Sequence, residues 1–145
     1  MSRIIGGTMG RVTVEVDIAN REDVLFAKRG ALPSDQVRRV RIKGTVDTGA
    51  TWLVLPKTAA DQLGVPVTGK VRVSYADRRQ ATRPVVEDVQ VELLGRNSTF
   101  NAIVEPKRTD ALIGAVVLEA LDLIVDCVTQ TLQPRDPKQY TAEIE

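Results

Sequence analysis

The chain reads as a closed all-β domain with one short helix near its end. Three observations lead there. Val, Ile and Thr are plentiful while aromatic residues make up 3% of the chain, so any core is aliphatic and β-branched. Short runs alternate apolar and polar residues, the period of a half-buried strand. Clusters of Gly, Pro, Asn, Asp and Ser punctuate those runs at short intervals, as turns in a strand-rich domain do. One late segment, Ala115 to Leu121, departs from alternation and reads as the helix.

Taken in order, Met9 to Ile18 puts Val12, Val14, Val16 and Ile18 on one face, with Thr13, Glu15 and Asp17 on the other. Asn20 to Asp23 reads as a turn and Val24 to Lys28 as a returning strand. Arg29 to Gln36, with Gly30, Pro33, Ser34 and Asp35, reads as a loop. Val37 to Val46 alternates again, its basic residues Arg39, Arg41 and Lys43 opposite Val40 and Ile42. Together with Arg38 they read as the solvated face of a strand. Trp52 to Leu55 is a short apolar strand closed by Pro56. Thr58 to Gly64 reads as one or two helical turns, Thr58 capping the start and Gly64 the end. Val71 to Tyr75 and Thr82 to Val86 make a hairpin with a charged tip, Ala76 to Gln80. Asp88 to Leu94 is a further strand, Gly95 to Ser98 a turn, and Thr99 to Glu105 the strand returning from it. Pro106 to Asp110 is a loop. Leu123 to Val125 and Thr129 to Leu132 form a closing hairpin, and Pro134 to Glu145 reads as a loose polar tail.

At 145 residues the chain is long enough for one domain with a sizeable core, placed at 1–134, followed by a polar tail at 135–145. Its net charge of +1 argues against a nucleic-acid or membrane-surface role driven by bulk charge. With no histidine, Ser-His and Cys-His triads and histidine zinc sites are excluded. One cysteine, Cys127, excludes an internal disulfide and reads as a small core residue. No acid cluster has metal-ligand spacing, so no metal and no cofactor is expected. Met1 to Gly10 lacks a long apolar run, and no window approaches the ~18 apolar residues of a membrane span. No signal peptide and no membrane partner are therefore expected, and the expected location is cytoplasmic.

The chemistry concentrates at Val46-Asp47-Thr48-Gly49-Ala50-Thr51. An apolar strand runs into an acid and the backbone then turns. Gly49 suits a turn that a side chain would obstruct, and the Thr48 hydroxyl can brace the loop locally. A fixed, partly desolvated carboxylate is a candidate for general acid–base work. A second element follows at Ala111-Leu112-Ile113-Gly114, leading into the predicted helix. The acids Asp110, Asp122 and Asp126 lack a Thr-Gly continuation, so the chain holds one such acid.

At these residues the chain resembles the retropepsin-like aspartic proteases, single-domain relatives of the retroviral enzymes, over roughly residues 8 to 134. The resemblance implies a closed, barrel-like acid-protease fold with one Asp-Thr-Gly per chain. It also implies an aspartic endopeptidase that hydrolyses peptide bonds as a homodimer. Asp47 from each chain would share a proton and activate water. Thr48, Gly49, Ala50 and Thr51 would support the loop. Leu112, Ile113 and Gly114 would lie under it, and Tyr75, Ala76 and Asp77 of the hairpin would act as a flap on the substrate. Two features depart from the family pattern. Arg78 stands where a flap-tip glycine is usual. The Arg–acid pair beside the two motifs is replaced by Ala115 and Thr51. The charged tip motivates an alternative, a dimeric peptide-binding module of the same fold without turnover.

Overall fold

Strand β1, Thr13–Asn20, takes its shape from the alternation: Val16 and Ile18 are buried while Thr13, Glu15 and Asp17 face solvent. The computed structural model describes residues 11–145, so Met9 and Gly10 of the predicted strand, and the segment Met1 to Gly10, lie outside the described residues. β1 pairs antiparallel with β2, Arg39–Val46, in a register that sets Glu15 opposite Lys43 and Asp17 opposite Arg41. Opposite charges thus meet across the ladder, with Arg41 Nε 3.7 Å from Asp17 Oδ1. The basic residues of β2 answer the acids of β1.

The remaining strands are β3 (Leu53–Pro56), β4 (Val67–Ser74), β5 (Gln80–Leu93), β6 (Arg96–Glu105), β7 (Ala111–Ile113), β8 (Leu123–Asp126) and β9 (Thr131–Pro134). Six of them close a ring in the order β1-β2-β7-β3-β6-β5, with β5 pairing back onto β1 from Asp17↔Glu92 to Asn20↔Val89. Closure leaves no open edge in the barrel and encloses an aliphatic core that includes Val16, Ile18, Leu53, Leu55, Val91 and Ile113. The pairs β2–β7 and β3–β6 are parallel, and this brings the Asp47 loop beside the Leu112-Ile113-Gly114 element. β4 stands outside the ring, bonded to β5 alone, and β8 and β9 form a separate two-stranded sheet.

Several sequence expectations need correction. β5 is one strand of 14 residues where two were expected. Its register against β6 shifts between Val86 and Val89, and Asp88 there takes a left-handed φ of 63°. The polar Glu87-Asp88 pair looked like a break but is a bulge that bends a continuous strand. One arm closes the barrel and the other projects.

Val24 to Lys28, expected as a strand, belongs to helix α1, Arg21–Lys28. Asn20 caps it by accepting the Asp23 amide at 3.0 Å, acids occupy its first turn and Lys28 its last. Capping chemistry prevails over an apolar run too short to show a period. α2 spans Lys57–Leu63 and starts after Pro56, with no side-chain cap; Thr58 is inside the helix. Gly64 does end it, at φ 64°. α3 spans Ala115–Leu121 as expected.

Arg38 is not part of a free basic cluster. Its amide, Nε and Nη2 reach buried Asp23 at 3.0, 2.8 and 3.0 Å. The Arg38 hydrogen bond holds the Asp23 carboxyl below its ordinary pKa, against the opposing effect of burial. A depressed carboxylate stabilises the fold above its unfolded pKa, and this contribution is lost as pH falls through the lower folded value. Asp23→Asn should therefore cost about 2 kcal/mol at neutral pH. That gap should close as urea melts are repeated at successively more acidic pH.

The segment expected as a loose tail is docked. Buried Arg96 donates from Nη1 to the carbonyls of Leu121 and Asp122, both at 3.1 Å, where α3 ends without amide donors of its own. Its Nη2 binds the carbonyls of Asp136 and Gln139, and the Tyr140 ring stacks on the guanidinium at 4.5 Å. Thr141 and Arg135 in turn bond the Asp122 carboxylate. Arg96 sits at a turn in the sequence, and nothing local reveals that it organises residues 40 positions away.

Candidate active site

Asp47 leaves β2 at the point where Val46 pairs with Ile113. Its amide donates to Ile113 O at 3.0 Å and its carbonyl accepts the Ala50 amide at 3.1 Å. Gly49 N donates to Asp47 Oδ1 at 2.9 Å, so one carboxylate oxygen is fixed by the backbone of its own loop. Oδ2 takes no hydrogen bond from the described residues and is not a buried atom. The residue is half-buried. One oxygen is held and the other is open.

The loop is clamped from behind by α3. Ala115 N donates to Ala50 O at 2.7 Å and Val116 N to Thr51 O at 3.0 Å. The first amides of a helix have no partner inside it, and here they bind the active loop instead. Such contact requires close approach, which Gly114 allows. A Cβ on Gly114 would lie 2.3 Å from Trp52 O and 2.7 Å from both the carbonyl carbon and oxygen of Thr51. The φ of Gly114 is −88°, so space rather than conformation demands glycine.

One expectation about loop support changes. Gly49 suits its turn through space: its φ is not left-handed, and a Cβ there would sit 3.3 Å from Asp47 Oδ1, so the glycine leaves room beside the carboxylate. The Thr48 hydroxyl makes no hydrogen bond among the described residues, and Ala50 and Thr51 hold the loop through their carbonyls instead.

Leu112 lies opposite Thr45 on one side and Val54 on the other; Val54 lies opposite Ile103, and Ile103 opposite Val85. Laterally paired residues share a sheet face, so Leu112, Val54, Ile103 and Val85 form an apolar row running from the Asp47 side towards the projecting hairpin. At the end of the row beside Leu112, Thr45 Oγ1 donates to Asp110 Oδ2 at 2.5 Å, and Arg108 Nη2 lies 3.0 Å from Asp110 Oδ1. Sequence reasoning considered Asp110 only as a second acid. Thr45, a buried hydroxyl in an apolar strand, is the signal that it had a structural partner. A cavity of about 510 Å³ beside the active loop is lined by Thr51, Trp52, Thr99, Phe100, Asn101 and Val116. A smaller, apolar cavity of about 270 Å³ lies between α2 and the hairpin base and includes no active-loop residue.

The hairpin β4–β5 turns through Ala76-Asp77-Arg78, closed by Tyr75 N to Arg79 O and Arg78 N to Tyr75 O, each 2.9 Å. Asp77 accepts from the amide of Arg79 at 3.0 Å and its Nε at 2.7 Å, contacts that hold its carboxyl below the ordinary pKa. The Arg79 guanidinium lies 5.0 Å from the Tyr75 ring centroid. The Tyr75 hydroxyl donates to Glu105 Oε2 at 2.5 Å, and this bond, with burial second, raises the phenol pKa. Tyr75 and Asp77 thus use their polar atoms within the chain, leaving Ala76 bare. Arg78 takes φ 72°, the bulge position that glycine favours. Arg78→Gly should stabilise by about 0.5–1 kcal/mol, the left-handed strain less glycine's extra entropy cost, as read from urea melts.

A family model described as gag-polyprotein putative aspartyl protease matches residues 36–120. None of the curated proteins matches the chain. The matched span holds the Asp47 loop, the Leu112-Ile113-Gly114 element that the fold sets beside it, and the projecting hairpin. By this match over more than half its length, and by the six-stranded closed barrel that carries it, the chain belongs to the retropepsin-like aspartyl protease family.

Proposed function

We propose that the protein is an aspartic endopeptidase whose site is completed by a second copy of the chain. Membership of an aspartyl protease family supports peptide hydrolysis in general. The observation that carries the finer reading is the state of Asp47: backbone-clamped, with Oδ1 held by Gly49 and Oδ2 open. One carboxylate cannot act as both acid and base in the same step. Two of them across a two-fold axis share one proton, because like charges so close do not both ionise. The ionised member takes a proton from water as it attacks the scissile carbonyl; the protonated member donates to the carbonyl oxygen, and a proton then passes to the leaving amine. The pair titrates as a unit.

The peptide would lie extended over the apolar row Leu112, Val54 and Ile103, beneath the β4–β5 hairpin acting as a flap. That row favours aliphatic side chains near the cleaved bond, and the Trp52–Val116 cavity would take a residue further out. Cleavage of an unstructured peptide library between pH ~3.5 and ~7.5, a range bracketing a coupled carboxylate pair, tests this. Expected are cuts flanked by aliphatic residues, with a specific rate that rises with protein concentration. Peptides that bind and remain intact across the range would instead establish a binding module.

A further inference from the structure

We propose that Glu105 is a positioning residue for the flap, setting its pose through Tyr75 and Arg83; this rests on the peptidase reading above for its kinetic consequence, but not for its structural one. Glu105 ends β6, where it lies opposite Pro56 of β3, inside the barrel framework. Its Oε2 accepts the Tyr75 hydroxyl at 2.5 Å and its Oε1 accepts Arg83 Nε at 2.7 Å. Tyr75 follows the outgoing arm of the hairpin and Arg83 lies on the returning arm, opposite Val71. A single carboxylate on the barrel therefore holds both arms.

The outer hairpin needs such an anchor. β4 is bonded to β5 alone, and β5 begins to pair with β6 only at Val85. From residue 71 to residue 83 the backbone is paired only with itself. Among the described residues, the bonds from Tyr75 and Arg83 to Glu105 are the side-chain hydrogen bonds that tie this part to the barrel. They are also partly screened from solvent, the Arg83 and Glu105 side chains being 27% and 17% exposed, so the ion pair is stronger than one at an open surface. Charge-assisted bonds from two arms to one rigid acceptor fix an orientation as well as a distance. A flap that meets an extended peptide with its backbone must be ordered to do so, and a pre-set pose lowers the ordering cost of binding.

The residue type is specific. A glutamine keeps one neutral carbonyl oxygen for Arg83 Nε and can meet the Tyr75 hydroxyl only by reversing that bond, so the charge that strengthens both contacts is lost. Glu105→Gln is therefore the informative variant, and Tyr75→Phe, which removes one oxygen, is the second. Hydrogen exchange of the isolated protein should show hairpin amides between 71 and 83 exchanging about tenfold faster in Glu105→Gln, and several-fold faster in Tyr75→Phe. Amides of β1 and of β5 beyond Val89 should keep their wild-type rates. On a cleavable peptide, KM should rise several-fold while kcat stays within about twofold. Unchanged hairpin exchange in both variants would overturn the proposal. So would acceleration throughout the barrel, which marks a general stabilising contact, or faster hairpin exchange with an unmoved KM. If the wild type cleaves nothing, the exchange data still decide the anchor, and the failure falls on the peptidase reading.

Discussion

Asp47→Asn is expected to reduce kcat/KM by about 10²- to 10⁴-fold or more, the range of a lost acid–base group, while leaving the fold in place. The contacts that build the loop from Asp47 are backbone ones: its amide to Ile113 O and its carbonyl from Ala50 N. The side-chain contact, Gly49 N to Oδ1, survives because asparagine retains an amide oxygen at that position. Unfolding free energy should accordingly stay within about 0.5 kcal/mol of wild type. The chemistry does not survive, because an amide neither takes a proton from water nor holds one to share. A variant with wild-type melting behaviour and no cleavage would localise the loss to the carboxylate. A variant that retains cleavage would remove Asp47 from the mechanism.

Gly114→Ala should be strongly damaging for a single added methyl. The added carbon would stand 2.3 Å from Trp52 O and 2.7 Å from Thr51 backbone atoms, all of them main chain rather than the yielding end of a side chain. Relief requires α3 and the active loop to separate, and that stretches Ala115 N to Ala50 O and Val116 N to Thr51 O. A loss of about 3 kcal/mol or more is expected, with activity falling because the loop that carries Asp47 is displaced. Gly69→Ala provides the contrast. A Cβ there meets nothing within 4 Å, so stability should be unchanged or rise by a few tenths of a kcal/mol. Urea melts of the two variants beside wild type check both statements. Equal stability of all three would contradict the close packing described at Gly114.

The candidate site was legible in sequence where its motifs are local. Asp47-Thr48-Gly49 and Leu112-Ile113-Gly114 stand in short motifs, and the parallel pairing of β2 with β7 joins them. Strands such as β1 were legible because one buried face imposes a period of two. Helix α1 was missed because four apolar residues among eight give little period, and the Asn20 cap carried the information. The bulge at Asp88 was taken for a chain break because polar residues signal both.

What stayed hidden is long-range. Arg96 reaches Gln139, Asp23 meets Arg38, and Glu105 gathers Tyr75 and Arg83 from 30 and 22 residues away. A charged residue destined for a buried partner looks, in sequence, like one destined for water. The opposite error occurred at Thr48, where a local bond was expected and none forms among the described residues.

The central claim, that each site takes one carboxylate from each of two chains, is tested most directly by mixing. Wild-type and Asp47→Asn chains are combined at constant total concentration, allowed to exchange, and assayed on one peptide. A shared site predicts that activity follows the square of the wild-type fraction, so an equal mixture retains about a quarter of the activity. Activity that falls in simple proportion, to about a half, would show that each chain works alone and would contradict the account.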